Sequence, residues 1–153
     1  VEIREKLGLC YMIRSSLNIY EQQGNLMIQS GVDRKRFPLA MERIVDELQK
    51  IKTGGVTQKE LDDAKTCLKG KMDLSFEDSE EMASWYGVQD ILLKRVVEPE
   101  QRIQEINAVT TDDVLKVAKM LFEPKNAACA VIGPKSVINQ RKLKSYFRTL
   151  SLS

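Results

Sequence analysis

The chain has no histidine among its 153 residues, and that absence removes whole classes of chemistry. Ser-His-Asp and Cys-His nucleophile activation, and zinc catalysis built on histidine ligands, cannot be completed by these residues alone. Acid–base work by carboxylates or lysine stays formally open, but the commonest catalytic base is missing. The three cysteines, Cys10, Cys67 and Cys129, are odd in number and widely spaced. They make neither a disulfide framework nor a four-ligand structural zinc site, and free thiols suit a reducing compartment such as the cytoplasm. No apolar run approaches the roughly 20 residues that a membrane helix needs. An excess of one charge is also lacking: 24 basic and 22 acidic side chains leave a formal +2, with no electrostatic footprint for nucleic acid. Neither G-x-x-x-x-G-K-[ST] nor G-x-G-x-x-G occurs, so Gly54-Gly55 and Gly133-Pro134 are turn punctuation rather than phosphate loops.

What is present reads as one soluble α+β domain over 1–153, with 42% hydrophobic and 30% charged residues. Ile3 and Leu7 share a helical face, and Gly8 supplies a left-handed stop. Residues 9–20 and 25–32 then form two strands joined by "EQQG", an antiparallel hairpin whose alternation is clearest at Leu17 and Ile19. Phe37, Met41, Ile44, Leu48 and Ile51 lie on one helical stripe that ends at Gly54-Gly55. Thr57 and Glu60 form a capping box for a helix through Met72, and Thr110 with Asp113 repeats the device. A bend near 75–79 precedes a helix from Met82 to Leu93, and Pro99 opens another. Residues 126–132 (NAACAVI) read as a buried third strand, and a last helix lies near 140–150. The expected architecture is an antiparallel sheet with helices packed on one face. Three strands are few for so many helices, so further N-terminal strands are expected upstream of a chain that starts mid-helix. Without them a sheet edge is open, which predicts self-association or strand exchange.

The stretches "REKLGLCY", "GGVTQKELDDAKTCLKGKM", "INAVTTDDVLKVAKMLF" and "AVIGP" occur in order and at fitting distances. Together they resemble the C-terminal half of the pitrilysin/insulinase-type zinc metallopeptidases, which include the bacterial and mitochondrial processing peptidases. The resemblance implies two similar α+β halves facing each other across a closed chamber. One half carries zinc on an H-x-x-E-H motif. The other, matched here, binds no metal and contributes an arginine and a tyrosine seven residues apart to the substrate cleft. Arg4 and Tyr11 match that pair in identity and spacing. The implied partners are an H-x-x-E-H-bearing half or subunit and an extended peptide substrate, with zinc in the partner half and none on this chain.

The residues make such a role physically sensible. Seven positions apart on a continuous strand, Arg4 and Tyr11 would point to opposite faces; a helix stop at Gly8 lets them converge. An arginine fork can fix peptide carbonyls, and a tyrosine hydroxyl can donate to an oxyanion. The plainer alternatives are a solvated cation at a helix C-terminus for Arg4 and an ordinary strand aromatic for Tyr11. Glu60, Asp62 and Asp63 suit a helix N-terminus rather than a metal, and Glu77, Asp78, Glu80 and Glu81 a solvated run. Trp85 and Tyr86 suit helix packing. Cys10 suits a small buried residue, and Gly24 and Gly31 merely bracket the second strand. The alternative function is a catalytically inactive structural or scaffolding subunit of the same fold, a third being peptide binding without cleavage.

Overall fold

A computed structural model describes residues 3, 7–20, 22–134 and 139–151. Strands β1 (Cys10–Ile19) and β2 (Gly24–Val32) form a two-stranded sheet. Helices follow as α1 (Phe37–Gly54), α2 (Gln58–Ser75), α3 (Ser79–Val88), α4 (Pro99–Ala108), α5 (Thr111–Leu121) and α6 (Gln140–Tyr146). The fold is α+β. By contacts the chain forms two compact units, one of residues 1–18, 25–55 and 115–153, the other of 19–24 and 56–114.

In the first unit α1 serves two small cores. Ala40 and Ile44 meet Ile3, Leu9, Cys10, Ile13 and Val32, so one end of the hairpin is covered by the helix. One position round the helix, Val45 joins Tyr146 and Leu150, with Met41, Leu48, Phe122 and Leu143 packed about them. The residues on the expected stripe are half-buried, and the most buried positions of α1 are Ala40, Val45 and Lys52. Lys52 is the surprise. Its ammonium meets Glu123 Oε1 at 2.8 Å and donates to the Leu150 carbonyl, so a buried charge is paired and hydrogen-bonded. The same ion pair holds the Glu123 carboxyl below the usual carboxylate range.

The second unit is built on local devices that match the sequence. Thr57 Oγ1 accepts from the Glu60 N–H at 3.2 Å, and Glu60 Oε2 accepts from the Thr57 N–H at 2.8 Å. Both orphan donors of the helix start are satisfied, and those bonds to Thr57 hold the Glu60 carboxyl low. Asp78 caps α3 through the Glu80 N–H. The helix expected to run to Leu93 instead widens into a π turn over Gln89–Leu93 and stops at left-handed Lys94. The cause is Gln89, buried at the junction. Its amide donates to the carbonyls of Trp85 and Val97 and accepts from the Val97 N–H.

The expected strand at 126–132 is not formed. Residues 127–132 carry no regular structure, Cys129 is exposed and Ile132 is wholly so. An apolar run becomes a buried strand only where neighbours take its N–H and C=O groups, and the sheet of described residues is β1 and β2 alone. Leu17 and Ile19 are likewise exposed rather than core.

Candidate functional site

Gly8 is left-handed, with φ of 57°, which glycine adopts at no steric cost. The Leu9 N–H returns to the Ile3 carbonyl at 3.0 Å, and Arg36 Nη1 donates to the Gly8 carbonyl at 2.5 Å. These bonds fix how the chain enters β1. The turn after β2 is equally tied, since Asp33 Oδ1 accepts from the Lys35 N–H at 2.8 Å, while its carbonyl accepts from the N–H groups of Arg36 and Phe37. Between the two turns lies a depression of about 540 Å³ lined by Gly8, Leu9, Cys10, Tyr11, Asp33, Lys35 and Arg36. Two cations and one carboxylate border it, so its wall favours electron-rich groups.

Tyr11, the second residue of β1, stands at this rim, 76% exposed. Its hydroxyl makes no hydrogen bond to the described residues. Its ring lies against the backbone of β2, and a Cβ added at Gly31 would run into the ring carbons and hydroxyl. Arg4 lies outside the described residues, so the structure places one member of the expected pair. Cys10 is buried in the core beside it, as its reading as a small apolar residue anticipated. Gly31 and Arg36 were missed. A glycine inside a strand is a signal for close backbone approach, and that was the clue available for Gly31. The Arg36 contact spans 28 positions, a separation that leaves no mark in local pattern.

The other aromatic candidates are occupied. Trp85 meets Phe76 edge-on at 5.2 Å between centroids, carries Arg102 5.9 Å from its ring centroid and donates its N–H to the Val97 carbonyl at 3.2 Å. The Tyr86 hydroxyl donates to Glu98 Oε2 at 2.7 Å. Glu77, Asp78, Glu80 and Glu81 are exposed.

The chain has no histidine, and among the described residues no group of three or more cysteines and acidic residues is placed to hold an ion. No helix among the described residues is long and apolar enough to cross a membrane.

Residues 1–68, which contain the Gly8 turn, the hairpin and α1, match the model of the peptidase M16 inactive domain. The chain holds a C-terminal domain of the M16 peptidase type. It is 33% identical over 133 residues to an uncharacterized zinc protease of Bacillus subtilis, covering 87% of this chain and 32% of that protein. An uncharacterized zinc protease of Mycobacterium tuberculosis is 30% identical over 149 residues, covering 97% of this chain and 33% of the relative. The chain therefore spans about one third of the length of these relatives. A crystal structure of a conserved protein from Enterococcus faecalis V583 superposes with a TM-score of 0.66 at 28% identity, over 76% of this chain and 27% of that one.

Proposed function

We propose that this M16-type domain is the substrate-binding, chamber-closing half of a zinc-dependent endopeptidase that cleaves extended peptides. The metal and the general base would belong to a partner half bearing H-x-x-E-H, in the same or another polypeptide, in a reducing compartment such as the cytoplasm. One observation carries the reading: an exposed tyrosine, its hydroxyl making no hydrogen bond to the described residues, at the rim of a depression bordered by cations. In that reading Tyr11 donates to the scissile carbonyl and to the oxyanion that replaces it, while Arg4 fixes a neighbouring carbonyl of the peptide. Donation to an oxyanion lowers the barrier because charge grows on that atom only as the transition state forms. The open edges of the two-stranded sheet would also let the chain pair with a copy of itself; light scattering at rising concentration would detect it.

The test of the reading is cleavage of an extended peptide by this chain alone, by a half bearing H-x-x-E-H alone, and by the two together, with and without a zinc chelator. Cleavage by the pair, abolished by the chelator and absent from this chain alone, is expected. A zinc-loaded pair that binds peptide saturably and leaves it intact would make the domain a peptide-binding module. A pair that neither binds nor cleaves would make it a scaffold.

A further inference from the structure

The register of the hairpin does not agree with where Tyr11 lies. Arg14 Nη2 donates to Gln29 Oε1 at 2.7 Å, Asn18 Nδ2 donates to Asn25 Oδ1 at 2.9 Å, and the Tyr20 N–H bonds the Gln23 carbonyl at 2.8 Å. All three fit one antiparallel register, and carried back along the ladder it sets Met12 opposite Gly31. Tyr11 would then share the covered face with Val32. Instead the Tyr11 ring occupies the space over Gly31, and Cys10 takes the place in the core beside Ile13 and Val32. Cys10 and Ile13 are three residues apart, a spacing that a regular strand sends to opposite faces.

We infer that β1 carries one extra residue at Met12, a β-bulge, and that this bulge and Gly31 are positioning devices for Tyr11. The bulge shifts the side-chain alternation so that Tyr11 turns out of the core and toward solvent. Gly31 then leaves bare backbone on which the ring can lie, holding the hydroxyl at the rim of the depression with no hydrogen bond to the described residues. An alanine at Gly31 forces the ring or the strand to move. Ser30 Oγ donates to the Met12 carbonyl at 3.1 Å, which gives the bulged residue a partner for its carbonyl. Ring packing onto a strand glycine is a recognised way of pinning register. The positioning role rests on the proposed action of Tyr11 on a substrate; the bulge and the ring contact do not.

The test separates the two. In nuclear magnetic resonance spectra of the chain itself, ring current from Tyr11 should displace the Gly31 Hα resonances upfield, and Tyr11→Leu should return them to ordinary strand values. Gly31 resonances unmoved by Tyr11→Leu would overturn the inference, even if Gly31→Ala proved unable to fold. In the pair with an H-x-x-E-H half, Gly31→Ala should lower kcat by about 10²-fold, the cost of misplacing a catalytic group by about 1 Å. Its effect should vanish in the Tyr11→Phe background, because nothing remains to be positioned. Equal losses from Gly31→Ala in both backgrounds would mean a general structural defect and sink the positioning role. If Tyr11→Phe alone leaves kcat unchanged, the catalytic reading of Tyr11 fails, and the spectra still decide whether the ring sits on Gly31.

Discussion

Tyr11 and the Trp85–Tyr86 pair are the same kind of residue put to different use. Trp85 has a ring neighbour, a cation near its face and a carbonyl for its N–H, and Tyr86 has a carboxylate for its hydroxyl. Each polar handle is engaged within residues 56–114. Tyr11 has packing under its ring and nothing on its hydroxyl among the described residues, and the residue is 76% exposed. An aromatic whose handle is engaged stabilises its own unit; one held by its ring alone leaves the handle open to a ligand. Exposure by itself would not separate the two cases, since Leu74 is 70% exposed and carries no polar group at all.

The contrast can be broken most forcefully through stability. Trp85→Ala should cost about 3 kcal/mol in urea unfolding, because it removes a large ring and one of the two donors to the Val97 carbonyl. Tyr11→Ala should stay within about 0.5 kcal/mol, as expected of an exposed side chain away from caps and cores. Equal costs at the two sites would erase the distinction. A smaller effect sharpens the picture of the helical unit. Thr57→Ala should destabilise by about 1 kcal/mol, the usual worth of an N-cap. Glu60→Gln should remove an acid limb that Thr57→Ala only shrinks, because alanine keeps the backbone N–H that donates to Glu60 Oε2. The Glu60 carboxyl is held low by its bonds to Thr57. Its stabilising contribution is therefore present above the ordinary carboxylate range and lost as pH falls through the lowered value. Acid unfolding curves that Glu60→Gln leaves unchanged would refute this.

The smallest effect concerns Tyr86. Its bond to Glu98 raises the phenol above the usual tyrosine value of about 10. A raised value means stabilisation that is present below the unfolded pKa and lost as pH rises through the folded one. Ultraviolet titration should show a late phenol step, and Tyr86→Phe should remove it. A late step that survives the substitution belongs to another tyrosine and contradicts the assignment.

These contrasts also mark where the sequence was legible. Thr57 with Glu60, Thr110 with Asp113 and Pro99 were readable because a cap is completed within one turn, and the structure holds all three. Gly8 was readable for the same reason, its left-handed backbone being a local demand. The segment 126–132 was misread because a strand is defined by its neighbours. Composition describes the run and says nothing of the partner that must pair with it. Gln89 and Lys52 were invisible for a related reason. One clamps a backbone eight residues away, and the other reaches a carbonyl 98 positions on. Of the candidate site, Tyr11 was found through a motif, while its seat on Gly31 was not, because a bulge shifts the very alternation from which a face is read.

We propose that the hydroxyl of Tyr11, which makes no hydrogen bond to the described residues, and not aromatic character in general, is what this domain brings to a peptide. The most direct measurement is peptide cleavage by the domain paired with a zinc-loaded H-x-x-E-H half, comparing Tyr11→Phe with Tyr86→Phe. Removing one oxyanion donor costs about 10²–10³ in kcat, so Tyr11→Phe should fall by that factor while Tyr86→Phe keeps the wild-type rate. Equal rates in all three proteins would contradict the account and leave Tyr11 an exposed strand tyrosine.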